Sequence, residues 1–162
     1  MNICILTISD RSSKGVRDDL SGPAILNKIE SLGWNSVGYE IIPDEINIIR
    51  DQLIQWCDEI VPDIIFTTGG TGFAPRDVTP EATEKVIDKK TPGISEYIRL
   101  QSMKITPHAM LSRGIAGIRK KTLIINLPGS PKAALESIDF ILPALPHAVE
   151  LIHNDPKSES NH

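Results

Sequence analysis

The chain alternates short, nearly unbroken apolar runs with longer stretches in which apolar residues recur every three or four positions. Ile3 to Ile8 is short and rich in β-branched residues, as expected of a strand covered on both faces. Trp34 to Ile42 is β-prone, with Gly38 as an interruption. Asp63 to Phe66, Ile115 to Ile118 and Leu123 to Leu127 complete the predicted strands. Helical spacing places Ile25, Ile29 and Leu32 on one face, and Ile46, Ile49, Leu53, Trp56 and Ile60 on another.

The punctuation fits that pattern. Ser21-Gly22-Pro23 opens the first helix, with Ser21 as its cap, and Gly33 stops it. Asp44 is a natural N-cap for the second, which ends by Pro62. Thr79-Pro80 starts a helix to about Ile87, Lys89 to Gly93 is a break, and Ile94, Tyr97, Ile98 and Leu100 predict a helix to about Lys104. Met103, Met110 and Leu111 are expected to fill the core. Ser130 as cap and Pro131 at the first helical position begin a helix through Ala133, Leu135, Ile138 and Leu142. Pro143 and Pro146 then interrupt before a final turn from Ala148 to Ile152.

Strands alternating with amphipathic helices predict an α/β fold, three-layered, with a mostly parallel central sheet and helices on both faces. The 162 residues are read as one domain over 1–153 and a polar tail over 154–162. A formal charge of −4, without long runs of one sign, argues against a nucleic-acid or membrane-surface protein. Cys4 and Cys57 form no CxxC pair and are expected to be buried thiols, which fits a reducing compartment. The first apolar run breaks at Ser9-Asp10, too short for a signal peptide or a membrane span, so a cytoplasmic protein is expected. His108, His147, His153 and His162 show no metal-ligand spacing.

The candidate chemistry centres on Thr67-Thr68-Gly69-Gly70-Thr71-Gly72-Phe73-Ala74-Pro75-Arg76-Asp77-Val78-Thr79-Pro80. A strand feeding a glycine-rich turn and then a helix brings bare N–H groups together where a phosphate can approach the main chain. Gly-Gly-Thr-Gly alone also suits an ordinary turn. Arg76 adds a fixed positive charge and Asp77 a hard oxygen ligand, and the combination points to chemistry on a phosphate ester. Asn126-Leu127-Pro128-Gly129-Ser130-Pro131-Lys132 repeats the logic as a second candidate anion site. Ser9 to Leu20 is read as a surface loop. Asp10 within it, and Asp44, stand at the ends of other strands, where ligands of α/β proteins sit.

These residues also carry a resemblance. The run from Thr68 to Thr83, Ile118-Arg119, and Thr122 to Ser130 closely resemble the molybdopterin adenylyltransferases: the bacterial MogA type, the G domain of gephyrin and its plant counterpart. Thr7-Ile8-Ser9-Asp10, Asp19-Leu20-Ser21-Gly22 and Ile42-Pro43-Asp44-Glu45 are similar to the family's other segments, so the likeness runs from Ile5 to about Leu151. The MoaB type and a domain of competence-damage-inducible proteins share the core motif, but Phe73-Ala74-Pro75 and Pro43-Asp44-Glu45 favour the adenylyltransferase branch. One departure is Lys120, where the family usually has glycine, expected to disturb only a hairpin turn.

The resemblance implies a homotrimer that transfers AMP from ATP to the terminal phosphate of molybdopterin, releasing pyrophosphate with Mg²⁺ present. By motif, the essential acidic residues fall on Asp44 and Asp77, which would also hold the metal. Substrate binding would involve Ser9, Asp10, Gly69, Gly70, Thr71, Gly72, Arg76, Asn126, Pro128, Gly129 and Ser130. The Leu127 to Ser130 loop is expected nearer the nucleotide, and Ser9-Asp10 within reach of the phosphates. The insertion domain of eukaryotic relatives has no counterpart here, so hand-over to a separate molybdenum-insertion protein is expected. The alternatives are a molybdopterin carrier or regulatory module of the MoaB-like branch, and a nucleotide hydrolase sharing the motif.

Overall fold

The computed structural model describes residues 1–154. Six strands form one sheet in the order β2-β1-β3-β6-β5-β4. Four are parallel: β1 (Asn2–Ile8), β2 (Asn35–Ile42), β3 (Ile64–Thr68) and β6 (Thr122–Leu127). β5 (Ala116–Arg119) and β4 (Lys89–Lys90) continue the sheet antiparallel at one edge.

Successive strand residues point to opposite faces, and here both faces are apolar. Ile3, Ile5, Ile64, Phe66, Leu123 and Ile125 pack on one side. They meet Ile25 and Ile29 of α2 (Ser21–Ser31), Ile98 of α5 (Pro92–Met103), Ile138 of α6 (Pro131–Ile141) and Val149 of α7 (Leu145–Ile152). Cys4, Leu6, Ile8, Ile65 and Ile124 face the other way, against Ile49 and Leu53 of α3 (Ile46–Gln55), Trp56, and Ala82 of α4 (Thr79–Glu84). The expected three-layer α/β fold with a mostly parallel sheet is therefore the observed one. The unbroken apolarity of the central strands follows from their being covered twice.

Several local expectations need correction. The Ser9 to Leu20 loop contains a one-turn helix, α1 (Asp10–Ser13), because the Ser9 hydroxyl accepts from the Ser12 N–H and caps it. Ser21 is not the cap of α2: the Asp19 carboxylate accepts from the N–H groups of both Ser21 and Gly22. Asp44 does not cap α3, since its carboxylate turns back to the Asp10 N–H. Lys89-Lys90, expected as a break, pairs with Ile118 and Gly117 as a short edge strand. Helix α4 ends at Glu84, short of Ile87, while Pro146 sits in the first turn of α7 and begins that helix rather than interrupting it. Trp56–Ile60 winds as a π-helical turn that ends at Val61 in the left-handed region.

Met103, Met110 and Leu111 do not fill the core. They are 39%, 60% and 45% exposed: Met103 ends α5, Met110 and Leu111 lie in the 3₁₀ turn after it (Pro107–Leu111), and none of the three packs into either side of the core. Lys120 adopts φ +52° in the β5–β6 turn, a conformation suited to glycine. Its N–H donates to Asp88 and its ammonium pairs with Asp58. Ser130 caps α6 as expected, accepting from the Ala133 N–H. Cys4 and Cys57 are buried and free, and burial pushes their thiols up to about 12 and about 11. Neither is a reactive thiolate. The tail expected over 154–162, and His162 with it, lies beyond Asn154 outside the described residues.

Candidate active site

The four parallel strands all end on one edge of the sheet, and the order reverses between β1 and β3. A crevice at such a reversal is where open α/β sheets bind ligands. A cleft of about 490 Å³ lies there, lined among others by Thr7, Ser9, Asp19, Gly69, Gly129 and Ser130. On the far side of the glycine loop lies a more apolar hollow of about 290 Å³. Gly72, Ile98, Ile105, Leu111 and Pro128 are among its walls.

The two glycine loops touch. Gly69 N–H donates to the Leu127 carbonyl at 3.3 Å, and the Thr68 hydroxyl donates to the Pro128 carbonyl at 2.7 Å. Gly69 and Gly70 have φ +100° and +64°. The Thr79 hydroxyl donates to the Gly69 carbonyl at 2.9 Å, and Thr79 N–H to the Gly70 carbonyl at 3.1 Å. The start of α4 therefore sits directly under the loop.

Acidic residues converge on this loop from three strand ends. Asp10 and Asp44 exchange bonds: Asp10 N–H donates to the Asp44 carboxylate at 2.8 Å, and Asp44 N–H to that of Asp10 at 3.2 Å. The reciprocal pair ties the ends of β1 and β2 together. Asp44 Oδ1 lies 3.0 Å from where a side chain on Gly70 would begin, and Asp77 Oδ2 lies 2.8 Å from the same point on Gly72. Both carboxylates thus stand against the glycine loop. Burial, with the charges of Asp10 and Asp77 adding to it, pushes the Asp44 carboxyl above the usual aspartate range.

Arg76 reaches back across the site. Its guanidinium donates to both Asp10 oxygens at 2.9 Å and to Glu45 at 2.8 Å. This pairing holds the Asp10 carboxyl below its usual range and keeps Arg76 firmly protonated. The Asp77 carboxylate accepts from Ala74 N–H at 3.0 Å.

The structure gathers Ser9, Asp10, Asp44, Gly69, Gly70, Thr71, Gly72, Arg76, Asp77, Pro128, Gly129 and Ser130 at this one edge. Asn126 is different. It is 4% exposed, its amide donates to Thr67 and Thr83, and its oxygen accepts from Ile115 N–H. All of those bonds point into the interior, so its side chain braces the strand beneath the site.

Three further residues matter. Glu45 shares Arg76 with Asp10, a role that its place beside Asp44 did not announce. Arg113 bonds the glycine loop from a distant segment with no motif of its own. Asp19 was legible in part: a carboxylate shortly before Ser21-Gly22 at a helix start is a capping pattern. Its oxygens accept from the hydroxyls of Thr7 and Tyr39, both at 2.6 Å, and from Ser21 and Gly22. Burial pushes its carboxyl up, but these donors outweigh burial and hold it below the ordinary aspartate value of 3.8.

A depressed carboxylate contributes stability above its unfolded-state value, and that contribution is lost as pH falls through the folded one. Asp19→Asn should therefore lower the melting temperature at pH 7 and narrow the gap from wild type as pH drops below 3.8. Thermal melts from pH 7 to pH 3 check this; an unchanged gap across that range would remove the charge from the account.

Among the described residues no three His, Cys, Asp or Glu side chains are grouped so as to hold a metal ion on their own. Two carboxylates against one glycine-rich loop fit the donor set that Mg²⁺ takes, one or two protein oxygens with the remaining positions left to phosphate oxygens and water. The raised Asp44 carboxyl, crowded by two other acids, is an environment that a cation relieves.

The chain matches the family described as "Probable molybdopterin binding domain" over residues 4–147. It belongs to that family. A molybdopterin adenylyltransferase from Helicobacter pylori (strain ATCC 700392 / 26695) is 50% identical over 154 residues, covering 94% of this chain and 88% of the relative. Gephyrin from Dictyostelium discoideum is 48% identical over 164 residues, covering 95% of this chain but 23% of that longer protein. The crystal structure of the molybdopterin biosynthesis enzyme MoaB from Thermus thermophilus superposes with a TM-score of 0.90 at 46% identity, covering 96% of this chain and 98% of that one. The resemblance drawn from the glycine loop and the strand ends thus extends over the whole fold. Among the described residues no helix is long and apolar enough to cross a membrane.

Proposed function

We propose that this protein is a molybdopterin adenylyltransferase of molybdenum cofactor biosynthesis. It transfers AMP from ATP to the terminal phosphate of molybdopterin. The observation that carries the reading is the pair of carboxylates, Asp44 and Asp77, set against Gly70 and Gly72 and facing the Arg76 guanidinium network. The 50% identity to a relative named for this activity, over 94% of the chain, supports it.

The reaction joins two anions, so the protein's task is to place them in line and to neutralise charge. An oxygen of the molybdopterin phosphate attacks the α-phosphorus of ATP. The bond from that phosphorus to the bridging oxygen breaks, and its electron pair leaves with pyrophosphate. The attacking oxygen is already ionised at neutral pH, so no histidine base is required. Glycine-loop N–H groups at Gly70 to Gly72 receive phosphate oxygens, while Gly69, whose N–H is taken by the Leu127 carbonyl, lets the ligand approach the main chain. Arg76 exchanges Asp10 and Glu45 for a phosphate when substrate arrives, since both partners are side-chain carboxylates at a solvent-exposed site. Asp44 and Asp77 are the residues that would hold Mg²⁺, which would supply charge neutralisation at the phosphates.

Two hollows on opposite sides of the loop suit two substrates with large ring systems. Ser9, Asp10, Pro128, Gly129 and Ser130 line the approach to the phosphates. A single α/β domain over 1–153 carries the whole site. The protein works in the cytoplasm as a homotrimer, and the exposed apolar side chains of α5 and the segment after it, such as Leu100, Met103 and Met110, are the candidate interface. Its adenylated product passes to a separate insertion protein.

A second reading is a molybdopterin-binding module of the MoaB-like branch without turnover; the 46% identity to MoaB from Thermus thermophilus bears on the branch and not on turnover, since that protein is itself named a biosynthesis enzyme. One experiment separates the two. Pyrophosphate release from ATP and Mg²⁺ is expected only when molybdopterin is added. Pterin binding without release would move the protein to the second reading, and release independent of pterin would make it a hydrolase.

A further inference from the structure

The segment that carries Arg76 and Asp77 has little holding it from its own side. Phe73, Ala74, Pro75 and Arg76 are all exposed, and Phe73 is 68% so. Inside the segment, Asp77 N–H donates to the Ala74 carbonyl at 2.9 Å, and Ala74 N–H to the Asp77 carboxylate. An exposed turn of this kind sits at the low end of local stability.

Beyond the exposed ion pairs of Arg76 with Asp10 and Glu45, its main-chain anchor is Arg113, which lies between a 3₁₀ turn (Pro107–Leu111) and β5. The Arg113 Nε donates to the Gly72 carbonyl at 2.8 Å, and Nη2 donates to the Asp77 carbonyl at 2.7 Å. Nη1 pairs with Glu81 on α4. The Arg113 main-chain N–H also donates to the Thr71 carbonyl at 2.8 Å. One planar group therefore grips the Gly72–Asp77 segment at both ends, and all three of its nitrogens are engaged by protein.

We infer that Arg113 is a positioning residue for adenylyl transfer, setting where Arg76 and Asp77 stand relative to Asp44 without itself touching substrate. The inference rests on the function proposed above. The grip needs a fork. A lysine ammonium is a point donor and cannot span two carbonyls with fixed geometry, whereas the guanidinium can. The accepting atoms are main-chain oxygens, so what is held is the path of the chain. Transfer depends on that path, because a misplacement of about 1 Å at the reacting groups costs about 10²-fold in rate.

The test compares Arg113→Lys with Glu81→Gln. Each is assayed for pyrophosphate release with molybdopterin, ATP and Mg²⁺, and each for amide hydrogen exchange in the peptide spanning residues 69–78. Arg113→Lys is expected to lower kcat by about 10²-fold while KM for ATP moves by less than about threefold. Its loop peptide should exchange about tenfold faster, with the β3 and β6 peptides unchanged. Glu81→Gln, which keeps both carbonyl bonds, should stay near wild type in rate and in loop exchange.

Unchanged loop exchange in Arg113→Lys overturns the inference. So does a loss in Glu81→Gln as deep as that in Arg113→Lys, which would assign the effect to the ion pair with α4. Faster exchange throughout the protein would reduce Arg113 to a general structural role. If wild type itself releases no pyrophosphate, the proposed function fails separately, and the exchange comparison still decides whether Arg113 holds the loop.

Discussion

Asp77→Asn is expected to leave a folded protein that transfers AMP about 10²- to 10³-fold more slowly. The fold should survive because the bond that the Asp77 side chain makes, from Ala74 N–H, needs only an oxygen acceptor, which asparagine retains. The main-chain carbonyl of residue 77 keeps its bond from Arg113. What is lost is a full negative charge beside Gly72, close enough to Asp44 to help raise its carboxyl. A hard divalent cation prefers carboxylate to amide oxygen, so the variant should also need more Mg²⁺ to reach its reduced maximum. Pyrophosphate release over a Mg²⁺ titration, alongside a thermal melt, measures both effects. Wild-type transfer by a folded Asp77→Asn protein would remove the carboxylate from the proposed chemistry.

Gly69→Ala should act on stability and activity together. Gly69 holds φ +100°, and a methyl group there would lie under 3.0 Å from the Ile8 carbonyl oxygen. That oxygen is main chain at the end of β1, so it cannot swing aside as a flexible side chain would. Backbone strain of about 1–3 kcal/mol and overpacking of about 1–3 kcal/mol together make a loss of about 2–6 kcal/mol. At about 2–4 °C per kcal/mol for a chain of this size, the melting temperature should fall by about 10 °C. Relief of the clash would push the ends of β1 and β3 apart. Asp10 follows Ile8 closely and is tied to Asp44, so the carboxylates move as well. Gly93→Ala is the control: it sits in α5 with nothing within 4 Å of the added carbon. It should be neutral or slightly stabilising, by up to about 1 kcal/mol. Equal melting temperatures for the two variants would contradict this account of the loop.

The parts of the site legible in the sequence were those built from adjacent residues. Gly69 to Asp77 reads as a phosphate loop because its strand, glycines, cation and carboxylate are consecutive, and the structure keeps them as one unit. Ser130 with Pro131 reads as a helix start for the same reason, and it is one. Asp44 shows where local reading misleads. Its position before α3 suits a cap, yet its carboxylate bonds Asp10, 34 residues earlier. The Asp10 N–H at the end of β1 is open, and β1 lies beside β2, so a long-range donor wins over a local one. Asn126 misled in the opposite sense. It lies next to the second glycine loop, but strand alternation turns its side chain inward onto Thr67 and Thr83.

The sequence by itself determined the layers, the parallel centre of the sheet and the glycine loop at the end of β3. Those features follow from hydrophobic period and from glycine and proline punctuation, which act over a few residues. Only the tertiary structure decided which charges meet. Arg76 finds Asp10 at a separation of 66 residues and Glu45 at 31, and Arg113 finds Gly72 at 41. Such pairings depend on strand order and on the reversal between β1 and β3, and no local pattern encodes either. The same holds for Met103, Met110 and Leu111. Their apolarity is plain in the sequence, but whether they face the core or solvent is set by how α5 and the turn that follows it lie on the sheet.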